Sequence, residues 1–246
     1  QVFWEVLLPS ISGFYGNGDD YRARRTYYLA CRYIAFLSWP IGIAGIVLAY
    51  PFLHYVYGHE FVRSENVLQI LFFASIIVSL DSPSGALFFA MEKQSLIIKF
   101  SAILAFLNIV MDILLIPRYG ALGAAFCNGT VQIIGSIIGL IYIYKVFNYA
   151  YPIKSISKIA FSSLFMGVVM LVIVKTDTKI SGFIMALLIG PFIYLISCIV
   201  LGSFENEDLE ILNKCIDVAP RPVSKVIKEI IKYVMQQKLS DKKETF

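Results

Sequence analysis

Six long apolar segments dominate the hydrophobic pattern of the chain, and short polar connections separate them. They cover residues 28–57, 67–91, 96–117, 121–147, 156–174 and 182–201. Each is about as long as the roughly 20 residues that an α-helix needs to cross a hydrocarbon core of about 30 Å. Because a bilayer interior offers backbone amides no water, we expect all six to be helices. The pattern predicts an all-α, polytopic transmembrane bundle of six spans.

Composition supports a membrane protein and excludes several other classes. The chain is 58% hydrophobic and only 15% charged, below the roughly 25% charged content of soluble domains. Its net charge of +4 favours contact with the lipid bilayer surface. No basic cluster is interleaved with aromatic residues in a way that suits nucleic acid. The four cysteines have no C-x-x-C spacing, so we interpret them as small apolar residues and not as metal ligands.

Loop charge predicts the orientation of the spans. Seventeen of the 21 Lys and Arg residues fall in the N-terminal segment, in alternate loops and in the C-terminal tail. The other four lie in the opposite set of loops. Because Lys and Arg concentrate on the cytoplasmic side, we expect the N-terminal segment and the tail to be cytoplasmic in a multi-pass protein of the cell (plasma or inner) membrane.

Four parts follow one another along the chain. Residues 1–26 are interpreted as the end of a truncated upstream helix and a cytoplasmic loop, because the chain opens on Gln1 within an apolar run. Residues 27–147 form a four-helix group, and residues 148–201 form two additional transmembrane helices. Residues 202–246 form a charged tail. Its apolar residues between 223 and 234 predict an amphipathic helix, which lies on an anionic leaflet or packs on the protein's own cytoplasmic face.

Five of the polar side chains inside the apolar segments are candidate site residues, because an ionisable group at that depth costs about 2.5–3.5 kcal/mol to insert. Asp81 is central in the second segment. Asn108 and Asp112 are four residues apart in the third, and Asn128 and Gln132 repeat that spacing in the fourth, so each pair shares one helical face. These residues line a substrate or ion pathway, or they form interhelical hydrogen bonds of about 0.6 kcal/mol each. For Asn108 and Asn128 the sequence favours the structural role.

Two prolines interrupt the first two segments. Pro40 and Pro83 each lack a backbone donor, so we expect each to kink its helix and free a carbonyl. Beside Asp81, the break at Pro83 would open a turn towards a water-filled pocket. In the alternative, serine hydroxyls bond the freed carbonyls and Asp81 merely points inward.

Catalytic and metal-binding patterns are absent from the sequence. His54 and His59 have no partner at helical spacing for a metal site. No Gly-x-Ser-x-Gly, phosphate-binding glycine loop or His-Glu-x-x-His occurs. We therefore expect neither a catalytic residue, nor a metal, nor a cofactor in this chain.

Several short strings, taken in order, resemble the C-terminal half of one transporter family. It comprises the O-antigen type oligosaccharide and polysaccharide flippases of the multidrug/oligosaccharidyl-lipid/polysaccharide exporter superfamily. The resemblance covers about residues 6–145 and then weakens. The strings are Leu8-Pro9-Ser10-Ile11-Ser12, Gly18-Asp19, Trp39-Pro40-Ile41-Gly42, Val56-Tyr57-Gly58-His59-Glu60-Phe61, Phe88-Phe89-Ala90-Met91-Glu92-Lys93, Asn108-Ile109, Leu115-Ile116-Pro117-Arg118-Tyr119-Gly120 and Leu122-Gly123-Ala124-Ala125.

The resemblance implies the C-terminal lobe of a MATE-like two-lobe transporter, with residues 27–147 as its four-helix part. It implies movement of a polyprenyl-linked oligosaccharide from the cytoplasmic to the outer leaflet for polysaccharide biosynthesis. Its partners would be the bilayer, the lipid-linked oligosaccharide and a missing N-terminal lobe. One alternative is a MATE-like multidrug or cation antiporter. A membrane-embedded glycosyl- or acyltransferase fragment is less favoured, because its motifs are absent. A purely structural scaffold would not need Asp81 or Asp112 at depth.

Overall fold

The computed structural model describes residues 2–205 and 208 of the chain, and this part is almost entirely helical. No strand occurs within it. Short π-helices follow α2 and α5, at Leu53–Tyr57 and Ile143–Phe147, and a 3-10 helix at His59–Ser64 precedes α3. The α-helices are α1 (Val2–Gly16), α2 (Asp20–Phe52), α3 (Glu65–Ala90), α4 (Gln94–Tyr119), α5 (Ala121–Tyr142), α6 (Ile153–Thr176) and α7 (Ile180–Val200).

Six helical stretches in the described part of the chain are long and apolar enough to cross a membrane. They correspond to α2 through α7 with their short π and 3-10 extensions, and they match the six apolar segments of the sequence. The predicted all-α, polytopic bundle is therefore confirmed. The amphipathic helix predicted for the tail lies outside the described residues.

The bundle is built around α2 and α3, which pack against each other. On one side α3 packs against α5, and α5 in turn packs against α4. On the other side α2 packs against α6, and α6 packs against α7. Helix α1 lies against both α2 and α3. Helix α4 is the least enclosed element, because none of its described side chains is buried.

The N-terminal loop is shorter than the sequence predicts. The Gly- and Asn-rich composition of residues 12–20 favours a turn-rich loop, but α1 continues to Gly16 and α2 begins at Asp20. The reason is a helix cap: the Asp19 carboxylate accepts a hydrogen bond of 3.1 Å from the backbone N–H of Arg22. The arginine-rich residues therefore form the first turns of the same helix that makes the first span.

A single residue joins α4 to α5. Helix α4 ends at Tyr119 and α5 begins at Ala121, with Gly120 between them at a φ of 56°. Glycine adopts this left-handed conformation without the steric cost of a side chain. A second glycine lets the hairpin close, because a Cβ at Gly123 would stand 2.6 Å from the carbonyl oxygen of Leu115.

Pro40 does not break its helix. It lies inside the continuous helix α2, and the carbonyl that it leaves without an amide partner belongs to Phe36, four residues earlier. The hydroxyl of Tyr194 on α7 donates a hydrogen bond of 2.8 Å to this carbonyl. A side chain from another helix thus replaces the missing backbone donor.

Pro83 is also inside a continuous helix, α3, so the open turn expected beside Asp81 is not present. Next to the proline, the Leu80 carbonyl accepts a hydrogen bond of 2.9 Å from the hydroxyl of Tyr151. Tyr151 lies in the connection between α5 and α6. Burial raises the pKa of the Tyr151 hydroxyl well above its usual range, which keeps this donor protonated.

Candidate functional site

A cavity of about 620 Å³ lies between α3, α4 and α5, and several polar side chains interrupt its otherwise apolar lining. Four of the five polar residues singled out by the sequence line it, namely Asp81, Asn108, Asn128 and Gln132. Each comes from a segment that is otherwise apolar, and the three helices bring them to one side of the bundle. We call this space the α3–α5 cavity. Asp112 does not line it.

Asp81 provides the carboxyl group of the α3–α5 cavity. Its Oδ1 atom is buried and has no hydrogen-bond partner among the described residues. The carboxyl fits because α5 carries a glycine beside it: a Cβ at Gly139 would stand 2.6 Å from Oδ1 and 2.7 Å from Oδ2. Gly139 therefore makes room for a carboxyl group that reaches from α3 to the surface of α5.

Hydroxyl groups surround the other side of this carboxyl. Ser84 is one turn along α3 from Asp81, is buried and is close enough to hydrogen bond with the carboxyl. The Ser84 hydroxyl also lies 3.2 Å from the hydroxyl of Tyr27 on α2. The Cys31 thiol and the Tyr151 hydroxyl are the other titratable groups that feel the charge of Asp81. The Asp81 carboxyl is thus bordered by hydroxyls and a thiol.

The amide side chains occupy the opposite wall. Within α5 the Gln132 Nε2 donates a hydrogen bond of 2.8 Å to Asn128 Oδ1, which verifies that the two share a helical face. Asn108 lines the same cavity from α4. Asp112, one turn further along α4, instead lies beside the thiol of Cys127. The structure therefore places Asp81 in the α3–α5 cavity and Asp112 outside it.

An apolar groove of about 700 Å³ lies on the other side of the bundle, between α2, α3, α6 and α7. Carbon atoms of side chains such as Leu37, Ile41, Phe72, Met166 and Leu187 line it. We call it the apolar groove. It has no counterpart in the sequence analysis, because each of its residues is an ordinary apolar residue of a span, and only the packing of four helices places them together.

A buried ion-pair network, also missed by the sequence analysis, lies where α2 meets the segment after α7. Arg32 is only 4% exposed. Its guanidinium donates hydrogen bonds to the Asp208 carboxylate and, at 3.2 Å, to the Ser203 carbonyl. It also forms an ion pair of 3.6 Å with Glu205. The sequence contains two signals for this network. Arg32 is a charged residue inside the first span, and the acids Glu205 and Asp208 come shortly after the last span.

Glu205 ties further elements to the same network. Its Oε1 accepts hydrogen bonds of 3.1 Å from the Tyr28 hydroxyl and 2.7 Å from the Ser155 hydroxyl. Its Oε2 lies 3.6 Å from a nitrogen of Arg25. The network thus joins α2, α6 and the segment after α7. Arg32, a cation within the first span, is engaged by acidic groups of its own chain.

No cluster that could hold a metal ion was found in the part of the chain that the structure describes. The rings of His54 and His59 are 5.6 Å apart at the end of α2, without a third ligand of the usual kind beside them.

The helical bundle, its α3–α5 cavity and its apolar groove define a polytopic membrane protein with the features of a transporter lobe. The family model described as "Lipid II flippase MurJ" matches residues 2–199. The chain therefore belongs to the lipid II flippase MurJ family.

Two curated relatives are similar to this chain in sequence, and a solved structure is similar to it in fold. The lipid II flippase MurJ of Thermosipho africanus is 28% identical over 187 residues, covering 71% of this chain and 37% of that protein. The capsular polysaccharide biosynthesis protein CapF of Staphylococcus aureus is 26% identical over 145 residues, covering 57% of this chain and 35% of CapF. A solved lipid II flippase MurJ in an inward closed conformation has a TM-score of 0.68 at 22% identity, covering 80% of this chain and 42% of that one. The chain thus spans less than half the length of these relatives.

Proposed function

We propose that this chain supplies the C-terminal lobe of a flippase that moves a polyprenyl-linked oligosaccharide from the cytoplasmic to the outer leaflet for polysaccharide biosynthesis. One observation carries the proposal: a bundle of this family places a cavity with polar side chains and an almost wholly apolar groove on opposite sides of the α2–α3 pair. A lipid-linked sugar has a polar head and a long apolar chain, and it needs both kinds of surface during transfer. A scaffold protein needs neither.

The residues of the α3–α5 cavity would act in the substrate or ion pathway. Asp81, Asn108, Asn128 and Gln132 offer the hydrogen-bonding groups that a polar species needs at membrane depth. Asp112, outside the cavity, would have a smaller part. The apolar groove would hold part of the lipid chain, because its lining is almost entirely hydrocarbon.

A second lobe would complete the pathway. The chain covers 37% of the Thermosipho africanus protein and 42% of the solved flippase chain. The exposed side chains of α4 include Ile103, Phe106 and Ile113, and they would face lipid or that second lobe. We therefore propose that transport needs an N-terminal lobe, and that this chain alone inserts into a membrane without moving substrate.

Reconstitution of the protein together with its N-terminal lobe tests the function. Vesicles would contain a lipid-linked oligosaccharide, and a soluble glycosyltransferase outside them would report how much sugar reaches the outer leaflet. We expect transfer, and we expect Gln132→Leu to reduce it while the matched lipid-side change Ile103→Leu leaves it intact. Export of a cationic drug without transfer of the lipid-linked sugar would contradict the proposal and favour the multidrug alternative.

Orientation is a separate proposal, with the N-terminal segment and the tail on the cytoplasmic side. It is supported by the loop charge and by the described connections, in which Lys93 and Lys154 lie at one end of the bundle's spans and Lys175 at the other. Single cysteines in place of Ser64, Ser181 and Ser240 would be exposed to an impermeant thiol reagent on intact cells. We expect labelling at the first two positions, whereas labelling at Ser240 without labelling at Ser64 would reverse the orientation.

A further inference from the structure

Asp81 is a half-buried acid in the wall of the α3–α5 cavity. Its Oδ1 has no hydrogen-bond partner in the described part of the chain. The carboxyl is directed at the face of α5 where Gly139 leaves room for it. An ionised carboxylate in such a position is costly, because the bilayer interior cannot solvate it as water does.

Among the described residues that line the α3–α5 cavity with Asp81, none is positively charged. From α2 the titratable neighbours are Tyr27 and Cys31, and from the connection before α6 the neighbour is Tyr151. The cavity-lining residues of α4 and α5 include no Lys, Arg, His, Asp or Glu. Helix α1 contributes the apolar residues Leu7 and Ile11 to the core beside α3. The described surroundings therefore leave the charge of an ionised Asp81 unbalanced.

The hydroxyl groups beside Asp81 can serve either protonation state. Ser84 can donate to an ionised carboxylate, or accept from a protonated carboxyl, because a hydroxyl is both donor and acceptor. Tyr27 lies 3.2 Å from Ser84 and can reorient with it. The α3–α5 cavity is large enough for several water molecules, since each occupies about 30 Å³ in the liquid. Water that enters this space would provide a route by which a proton reaches and leaves the carboxyl.

We propose that Asp81 is a reversible proton-binding site that exchanges its proton with water in the α3–α5 cavity. On binding, one carboxylate oxygen forms an O–H bond with a proton given up by a hydronium ion, which becomes water. On release the same bond breaks and the proton returns to cavity water. The site requires no other ion. Any link between this proton and substrate movement rests on the proposed transport function, but the site itself does not.

Dicyclohexylcarbodiimide labelling tests the site directly, because this apolar reagent reacts with protonated carboxyls and leaves a stable adduct. The protein, with its N-terminal lobe, would be labelled in vesicles over a range of pH, and peptides would be analysed by mass spectrometry. We expect an adduct on Asp81 that declines about tenfold per pH unit above the midpoint. Asp81→Asn should lose this adduct. Asp112→Asn is the matched control and should keep it.

Two further variants separate the proton site from a merely buried acid. Gly139→Ala puts a Cβ where the carboxyl now lies, and alanine is a good helix former. We expect a shifted pH midpoint for labelling without loss of helical signal. Ser84→Ala removes the hydroxyl next to the carboxyl and should shift the midpoint as well. Infrared spectra would show the C=O stretch of a protonated carboxyl, and this band should be missing in Asp81→Asn.

Four results would overturn the proposal. Protection of Asp81 by sodium at constant pH would make it a metal-cation site. Labelling that does not change with pH would make it a permanently protonated structural group. Absence of both the adduct and the infrared band would mean that it binds no proton. If the pH midpoint of labelling is unchanged in both Gly139→Ala and Ser84→Ala, the labelling does not depend on the surroundings of Asp81 that the proposal invokes. If vesicles fail to move lipid-linked sugar but Asp81 still titrates, the transport function fails and the proton site stands.

Discussion

Replacing Arg32 with alanine tests whether the buried ion-pair network holds the segment after α7 to the bundle. The guanidinium is 4% exposed and contacts Asp208, Glu205 and the Ser203 carbonyl. Removing one partner of a buried ion pair costs about 3–5 kcal/mol, because the remaining charge loses its compensation. The acids here lie near the end of the spans, where water reaches more easily. We therefore expect a loss near the lower limit, about 3 kcal/mol.

Unfolding in mixed micelles of increasing denaturing detergent, followed by far-UV circular dichroism, measures this loss. The matched control is Arg22→Ala, which removes an ion pair of 3.2 Å with Asp19 whose side chains are 68% and 36% exposed. Such a surface pair contributes at most about 1 kcal/mol. Adding Asp208→Asn to Arg32→Ala should recover part of the stability, since one uncompensated charge disappears. An Arg32→Ala loss no larger than that of Arg22→Ala would refute the reasoning.

Two more predictions concern backbone groups, and the same unfolding measurement checks both. Tyr194→Phe removes the donor to the carbonyl that Pro40 frees and should cost about 1–3 kcal/mol. In a Pro40→Ala background it should cost much less, because the restored amide bonds that carbonyl; an equal cost would contradict the assignment. Gly123→Ala puts a Cβ 2.6 Å from a backbone oxygen of α4 and should destabilise by about 1–3 kcal/mol. Gly129→Ala, whose Cβ would stand 3.3 Å from a methyl group, should cost clearly less, and the reverse order would be inconsistent with the hairpin packing.

The six spans were predictable because hydrophobicity over some 20 residues is a local signal. Helix ends were less predictable. The glycines and the asparagine before Asp19 predict a loop. Helix α1 nevertheless continues to Gly16, and the Asp19 cap starts the next helix. Capping depends on the geometry of a few atoms, and composition alone does not determine it.

The polar cavity was only partly predictable. Helical spacing placed Asn128 and Gln132 on one face, and the structure adds Asp81 and Asn108 to the same cavity. Asp112 shares a face with Asn108 in the sequence but lies outside the cavity, since the outcome depends on how α4 is rotated against α5. The Arg32 network was not found because its partners are more than 170 residues away along the chain.

Two tyrosine hydroxyls that bond carbonyls near prolines connect the early helices to the late ones. The donors to these carbonyls of α2 and α3 come from α7 and from the connection before α6. In the lipid interior, a backbone carbonyl that lacks a donor from the protein cannot hydrogen bond to water instead. A chain cut after residue 147 would remove both hydroxyl donors. The Phe36 carbonyl would then have no partner, because Pro40 has no N–H, whereas the Leu80 carbonyl would keep the backbone N–H of Ser84 within the continuous helix α3. Helix α7 therefore completes the backbone hydrogen bonding of α2, and the first span depends on the last one for this bond.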